Sequence, residues 1–159
     1  KVQSWYLDVS LLASYYGSER VYHHTAPISA IFGLAEGLRL LEEEGLEERF
    51  ARHRRAAARL VAGVEPLGFT PLVAEAERLP MLTALRLPPR VVEAGEAPLR
   101  RRLLERHGIE VGGGLGPLAG RIWRVGLMGE NAREGPVDRL LDALRSELQP
   151  GPSSRPGDL

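Results

Sequence analysis

The sequence predicts a domain of mixed α/β class, an α+β fold in which helices cover a small antiparallel or mixed sheet. Two observations indicate this class: apolar residues recur at helical spacing up to about residue 64, and short strand candidates rich in branched residues follow. The predicted order after the early long helices is β-β-α-β-β-α, which is typical of a layered domain with one sheet. The long helices need not pack on that sheet and could belong to another body or to a partner.

The first helices come from an aromatic segment and a longer amphipathic one. Residues 4–16 are expected to form a short helical or mixed segment that a Gly-Ser turn ends. The next helix is expected to begin at Pro27, with Thr25 as its cap, and to run to about Glu44. Its apolar residues at helical spacing are Ile28, Ile31, Leu34, Leu38 and Leu41.

A third helix is predicted after Gly45, and Gly63, Pro66 and Gly68 are expected to end it. We expect its arginines to face outward. The side chains expected to face inward are Leu46, Phe50, Ala57, Leu60 and Val64.

The second half alternates strands and helices. The segments "FTPLVAE", "MLTALRL", "IEVGG" and "RIWRVGLM" are strand candidates, and "PPRVVEAGEA" is expected to be a loop. A helix is predicted from Pro98 to a glycine stop at Gly108. The three arginines at 100–102 are interpreted as a solvated face of that helix. The last helix, "PVDRLLDALRSEL", carries one apolar stripe, formed by Val137, Leu140, Leu141, Leu144 and Leu148.

The composition narrows the functional classes. The 159 residues are the size of one domain, and the 21 basic residues balance the 21 acidic ones, so nothing favours nucleic acid or an anionic membrane as a partner. The chain has no cysteine, which leaves no disulfide frame and no thiolate metal site. No segment has the pattern of a signal peptide or of a membrane span.

The stretch "HGIEVGGGLGPLAGRIWRVGLMG" combines many glycines with two arginines. In a strand, Trp123 and Val125 lie on one face while Arg124 lies on the other beside Gly126. A charge inside a sheet needs an anionic partner, because burying it unpaired is costly. Arg124 is therefore a candidate anion-binding residue, and Arg121, nearer the turn, is expected to be solvated or structural. A plain strand–turn–strand with surface arginines fits this spacing equally well.

The "YHHT" stretch offers a second candidate. The hydroxyls of Tyr22 and Thr25 come just before a helix, and a helix start favours phosphate. The alternative is that Thr25 only caps the helix and Tyr22 only packs. His23 and His24 are not expected to share a metal, because adjacent side chains in extended backbone point in opposite directions. No metal site is predicted.

These pieces together resemble a known family. The stretches "VYHHTAPISAIFGLAEGLRLLEEEGLEERF", "GIEVGGGLGPLAGRIWRVGLMGENA" and "VDRLLDALRSEL" occur in the order found in the alanine–glyoxylate aminotransferases, also called serine–pyruvate aminotransferases. Those are class V, fold type I enzymes that depend on pyridoxal 5'-phosphate. The resemblance covers nearly all of residues 1–149 and implies a C-terminal portion only.

The resemblance implies a role for each candidate residue. Tyr22 and Thr25 would bind the cofactor phosphate of the neighbouring subunit in a homodimer, and Arg124 would bind the carboxylate of an amino-acid or 2-oxo-acid substrate. The cofactor lysine should lie upstream, because Lys1 is the only lysine and matches a position just past it. This chain therefore contributes no catalytic residue, and we expect it to be inactive alone.

The resemblance also implies a division of the chain. Residues 1–47 would end the large cofactor-binding domain and include an interface helix. Residues 48–149 would form the small C-terminal domain, and residues 150–159 are expected to be disordered. The competing interpretation is a non-catalytic α+β fragment with no ligand. Family members occur in peroxisomes or mitochondria, although the final "GDL" does not match a peroxisomal signal.

Overall fold

The structure is a computed structural model that describes residues 3–148, so the predicted disordered tail lies outside the described residues. Six helices and four strands are found in this range. They are α1 (Val9–Tyr16), α2 (Ile28–Glu44), α3 (Leu46–Val64), β1 (Thr70–Pro71), β2 (Leu82–Arg86), α4 (Pro89–Ala94), α5 (Ala97–His107), β3 (Gly112–Gly113), β4 (Ile122–Gly126) and α6 (Glu134–Leu148). Among these residues, no helix is both long and apolar enough to cross a membrane.

The chain divides into two compact units between Glu44 and Gly45. The first unit contains α1 and α2, and the second contains the sheet and the remaining helices. The division falls three residues before the boundary predicted after residue 47. The assignment of the first segment to the end of a larger domain stays a prediction.

The sheet of the second unit has the order β1-β2-β4-β3, and every pairing is antiparallel. β4 is central, with β2 on one side and β3 on the other. All four helices of the unit, α3, α4, α5 and α6, contribute buried residues to the core together with the sheet. The predicted fold class, a small antiparallel sheet covered by helices, is confirmed.

One face of the sheet carries the core. Trp123 and Phe69 are almost fully buried, and their ring centroids lie 5.5 Å apart. The stripe of α6 packs here as predicted, with four of its leucine and valine side chains buried and Leu148 half-buried against them. Burying a leucine or valine side chain is worth about 1.5–3 kcal/mol, so this face stabilises the unit.

The orientation predicted for α3 is partly wrong. Leu46 and Phe50 are about half exposed, whereas Arg52 is buried. The guanidinium of Arg52 donates hydrogen bonds from Nη1 to the carbonyl oxygens of Gly129 and Ala132, at 2.8 and 2.9 Å. Arg52 faces inward because the turn after β4 presents carbonyl groups that need donors.

Three further expectations about the second half are corrected. The segment predicted as a loop after β2 contains helix α4, which begins at a proline and ends before Gly95, a residue with positive φ. β1 and β3 are only two residues long. The arginines at 100–102 are not a uniform solvated face, because Arg100 and Arg102 are half-buried and ion-paired with Glu96 and Glu147.

The first unit has a different character. The carboxylate of Asp8 caps α1 by accepting hydrogen bonds from the N–H groups of Ser10 and Leu11, at 2.9 and 3.4 Å. Among the described residues of this unit, His23 is the only buried one. α2 is predicted correctly as a helix up to Glu44, but it buries none of its apolar side chains.

Candidate functional site

Arg124 occupies the middle of the central strand, and its neighbours across the sheet are small. Its partner on β2 is Ala84 and its partner on β3 is Gly112. Side chains of paired residues lie on the same face, so two minimal neighbours leave room for the guanidinium. A Cβ atom added to Gly112 would lie 3.5 Å from Nη2 of Arg124, so this glycine keeps a side chain away from the charge.

One hydrogen bond orients the Arg124 side chain. Its Nε donates to the carbonyl oxygen of Gly113 at 2.9 Å, and the residue is half-buried. Among residues 3–148, none of the ion pairs involves Arg124. The bond leaves the two terminal nitrogens of the guanidinium for an anion, as the sequence predicts for a cation inside a strand.

A cavity of about 330 Å³ borders Arg124. Most of its lining is apolar, with contributions from the segments on both sides of β2 and from the turn before β4. The apolar residues that line it include Leu72, Leu79, Leu82, Ala84, Leu118 and Ile122. Apolar walls lower the local dielectric, which strengthens the attraction between the guanidinium and a carboxylate.

Tyr22 and Thr25 lie together in the first unit. The Tyr22 hydroxyl is 3.2 Å from Oγ1 of Thr25, and both residues are exposed. Two hydroxyls at this separation offer two O–H donors to one small anion, since each can rotate its proton toward it. The geometry suits phosphate oxygens, although the role of both residues stays a prediction.

The structure does not support Thr25 as the cap of α2. The helix begins at Ile28, and the carbonyl of Pro27 accepts the hydrogen bond of the Ile31 amide at 3.0 Å. Pro27 therefore occupies the capping position, two residues after Thr25. The hydroxyl of Thr25 meets Tyr22 instead.

His23 anchors residues 22–25, the segment that carries the two hydroxyls. Its ring stacks on Trp5 with centroids 3.9 Å apart and an interplanar angle of 17°, and its Nε2 lies 3.0 Å from the Trp5 carbonyl oxygen. The backbone of Arg20 takes a left-handed φ of 53°, which turns the chain just before the segment. A buried anchor with exposed neighbours presents the hydroxyls of Tyr22 and Thr25 outward.

The side chains of His23 and His24 were expected to point in opposite directions, and the structure shows that they do not. Nδ1 of His23 and Nδ1 of His24 lie 2.6 Å apart, because the segment is folded over the aromatic rings of α1 and the turn before it. Among the described residues, no group of three or more metal-ligating side chains is placed to hold an ion.

Sequence patterns did not reveal every group at the Arg124 site. The Gly113 carbonyl carries no side-chain signal, and Ala84 becomes a neighbour only through strand register. The periodicity of β4 correctly placed Trp123 and Val125 on the core face opposite Arg124. The structure describes the two candidate parts of the site, the hydroxyl pair and the arginine, in separate units.

By sequence and by fold, the chain corresponds to the C-terminal portion of a fold type I aminotransferase of class V. Its similarity is to the alanine–glyoxylate aminotransferases in particular, as the motifs indicated. It is 42% identical, over 98% of its own length, to the alanine–glyoxylate aminotransferase of Callithrix jacchus, and it covers 38% of that protein. No family model matches the chain.

Solved structures agree with this assignment. A crystal structure of the alanine–glyoxylate aminotransferase from Nostoc sp. superimposes with a TM-score of 0.86 at 50% identity, covering 94% of this chain and 39% of that one. The ureidoglycine–glyoxylate aminotransferase from Bacillus subtilis gives a TM-score of 0.85 at 38% identity, covering 92% and 37%. The chain thus spans less than half the length of the relatives that it matches.

Proposed function

We propose that the chain is the C-terminal portion of a pyridoxal-phosphate-dependent aminotransferase that moves an amino group from alanine or serine to glyoxylate or pyruvate. The observation that carries the proposal is Arg124, a half-buried guanidinium beside an apolar cavity, with its terminal nitrogens unused by ion pairs of the described residues. The names of the relatives from Callithrix jacchus and Nostoc sp. support alanine and glyoxylate as substrates.

Arg124 would bind the substrate carboxylate. A planar guanidinium matches a carboxylate through two parallel hydrogen bonds, and the Gly113 carbonyl restrains its rotation. Amino acids and 2-oxo acids both carry this carboxylate, so one arginine would orient both substrates of the exchange. Orientation of this kind lowers the entropic part of the barrier.

The hydroxyl pair fits the cofactor phosphate. Tyr22 and Thr25 would each donate a hydrogen bond to a phosphate oxygen, since their oxygens are exposed and 3.2 Å apart. Pyridoxal phosphate, when bound, supplies the electron sink for the amino transfer. This chain contributes phosphate binding and substrate orientation, and we propose that it does so in a homodimer, for the cofactor of the neighbouring subunit.

Exposed apolar side chains support a partner for the first unit. Trp5, Tyr6, Ile28 and Phe32 are each more than half exposed. We infer an interaction surface in this unit because large apolar side chains gain free energy when a partner removes them from water.

We further propose that this chain alone does not catalyse transamination, because its one lysine, Lys1, is not at the cofactor position implied by the family. Incubation with pyridoxal phosphate followed by borohydride reduction should give no stoichiometric labelling. Specific labelling of one residue, together with turnover of alanine and glyoxylate, would contradict this.

A crossed pair of substitutions in the full-length enzyme tests the two binding roles. Arg124→Lys should raise the Michaelis constants for alanine and glyoxylate together, a loss of about 2–5 kcal/mol in transition-state binding, and leave cofactor affinity unchanged. Thr25→Ala should instead weaken cofactor binding, by about 1.5–3 kcal/mol, and leave the Michaelis constants for alanine and glyoxylate unchanged. Steady-state kinetics and cofactor titration measure the two effects separately.

The controls are matched in position. Arg121→Lys changes an exposed arginine three residues away, and Ser29→Ala removes an exposed hydroxyl from α2. Both should leave kinetics and cofactor affinity nearly unchanged. If Arg121 proves critical and Arg124 dispensable, the carboxylate site is misassigned. If neither Arg124 nor Thr25 matters, the non-catalytic alternative is favoured.

A further inference from the structure

A half-buried charge cluster, formed by Glu96 and Arg100, lies on the core side of the sheet, behind the strand that carries Arg124. The Glu96 side chain is only 11% exposed. Its Oε2 accepts hydrogen bonds from Nε1 of Trp123 at 2.9 Å and from Nε of Arg100 at 2.5 Å, and its Oε1 accepts one from Nη2 of Arg100 at 3.1 Å. Burial opposes ionisation of Glu96, but the hydrogen bonds from Arg100 and Trp123 outweigh it and hold its pKa below the usual value.

The cluster meets β3 at Gly113. A Cβ atom added to Gly113 would lie 3.4 Å from Oε1 of Glu96 and 3.4 Å from Cζ of Arg100, so the two side chains pack directly against this glycine. Gly113 is paired with Trp123 across the strands. The charged pair therefore contacts both members of one cross-strand pair, Trp123 through the indole N–H and Gly113 through its Cα.

The same glycine holds Arg124 on the opposite side. The carbonyl oxygen of Gly113 accepts the hydrogen bond from Nε of Arg124 at 2.9 Å. β3 is only two residues long and lies at the edge of the sheet, so strand pairing alone restrains it weakly. Glu96 and Arg100 pack against Gly113 from the core face, where they are placed to restrain this short strand.

We propose that Glu96 is a positioning residue for Arg124. By binding Trp123 and Arg100, it fixes the β3–β4 pair, and the Gly113 carbonyl then sets the direction of the Arg124 guanidinium toward a substrate carboxylate. This inference rests on the proposed function of Arg124. It adds a residue that acts from the core face of the sheet, without contact with the substrate.

The test uses Glu96→Ala in the full-length enzyme. Loss of the cluster should raise the Michaelis constants for alanine and glyoxylate about ten-fold, because small misplacements of a binding group are costly. The turnover number should fall less than about three-fold, and cofactor affinity should stay unchanged, since the phosphate would be bound by other residues. Trp123→Phe keeps an aromatic ring in the core while it removes the indole donor and part of the buried ring volume. It should likewise raise both Michaelis constants more than it lowers the turnover number, to a smaller degree than Glu96→Ala.

A second measurement does not depend on activity. In this chain, the Nε–H proton of Arg124 should exchange slowly with solvent in NMR spectra, because it is hydrogen-bonded. Glu96→Ala or Trp123→Phe should speed that exchange about ten-fold. Unchanged exchange in both variants would overturn the proposal.

Glu147→Ala is the matched control. Its side chain is 6% exposed and pairs with Arg102, Arg106 and His107, which all lie on α5 and not on β3 or β4. It should lower stability without changing either Michaelis constant by more than about two-fold. Equal rises in the Michaelis constants for Glu96→Ala and Glu147→Ala would mean that general destabilisation is the cause, and would overturn the proposal.

Arg124→Lys separates this inference from the proposed function. If Arg124→Lys leaves the Michaelis constants unchanged, the proposed function fails. If Arg124→Lys raises them while Trp123→Phe and Glu96→Ala do not, Arg124 binds substrate and the positioning role of Glu96 is wrong.

Discussion

The two units of the chain differ most in what they bury. Residues 45–148 contain a continuous core that includes Leu60, Phe69 and Trp123, each at most 1% exposed. Residues 3–44 bury His23 and leave Trp5 and Phe32 exposed at 59% and 72%. Both segments are rich in apolar residues at helical spacing, so hydrophobic content alone does not make a core.

The difference indicates that the two units are stabilised in different ways. Burial of apolar side chains gives the second unit its own source of folding free energy. The first unit depends on helix propensity, the Asp8 cap and the stacking of aromatic rings over His23. Most helical stability in proteins comes from packing an apolar face, and α2 buries no residue within this unit, so we expect the first unit to need a partner surface.

Hydrogen exchange should show the largest contrast. In this chain alone, amides of α3, β4 and α6 should exchange at least about a thousand-fold more slowly than those of α1 and α2, because core elements open only with global unfolding. Mass spectrometry of exchanged peptides measures this directly. Uniform protection across both units would show that the division after Glu44 has no energetic meaning.

Paired leucine substitutions should sharpen the same contrast. Leu60→Ala leaves a cavity in the core and should lower the free energy of unfolding by about 2–5 kcal/mol. Leu38→Ala, at a side chain that is 55% exposed on α2, should change it by less than about 0.5 kcal/mol. Denaturant titration of the chain, followed by the circular dichroism of the helices of both units, measures both effects, and similar losses at the two sites would contradict the comparison.

The charge pairs of the two units should differ least in their effect on the free energy of unfolding, and this difference depends on pH. The hydrogen bond from Arg102 is the largest cause that lowers the pKa of Glu147 below its usual 4.5, and the bond from His107 adds to it. A lowered carboxylate pKa contributes stability above pH 4.5 that is lost as the pH falls through the folded-state value. Glu147→Gln should therefore be less stable than the parent chain at pH 7, by about 1–2 kcal/mol, and the difference should shrink toward pH 3.

The first unit provides the control for this effect. Glu36 pairs with Arg39 on α2, but both side chains are more than half exposed. Water and salt screen such a pair, so Glu36→Gln should change stability far less at either pH. A pH dependence as large as that of Glu147→Gln would mean that exposure does not separate the two charge pairs.

The sequence was most informative where one local rule decided the structure. Helix α6 has a single apolar stripe with no competing face, and it packs as predicted. The glycine stop of α5 also holds, because Gly108 adopts a left-handed φ of 64° that other residues avoid. Successive side chains along β4 point to opposite faces of the sheet, so the sequence correctly placed Arg124 on the face opposite Trp123 and Val125.

Local rules failed where several faces or partners compete. Arg52 is buried because the carbonyl groups of Gly129 and Ala132, far along the chain, need a donor. Phe50 lies on the same helix and is half exposed, although its spacing suggests the core. Helical periodicity gives the relative direction of side chains, but the packing of distant segments decides which direction is inside.

The sequence by itself determined the fold class, the family motifs and the candidate residues Tyr22, Thr25 and Arg124, because local periodicity and motif spacing are properties of the chain. Only the tertiary structure decided that the Gly113 carbonyl binds Arg124 and that Glu96 packs against Gly113. It also decided that the Thr25 hydroxyl lies beside that of Tyr22 instead of capping α2. The contacts around Arg124 join residues far apart in sequence, and strand register sets which of them meet. Hydrogen bonds act over about 3 Å, so such pairings exist only once the sheet is assembled.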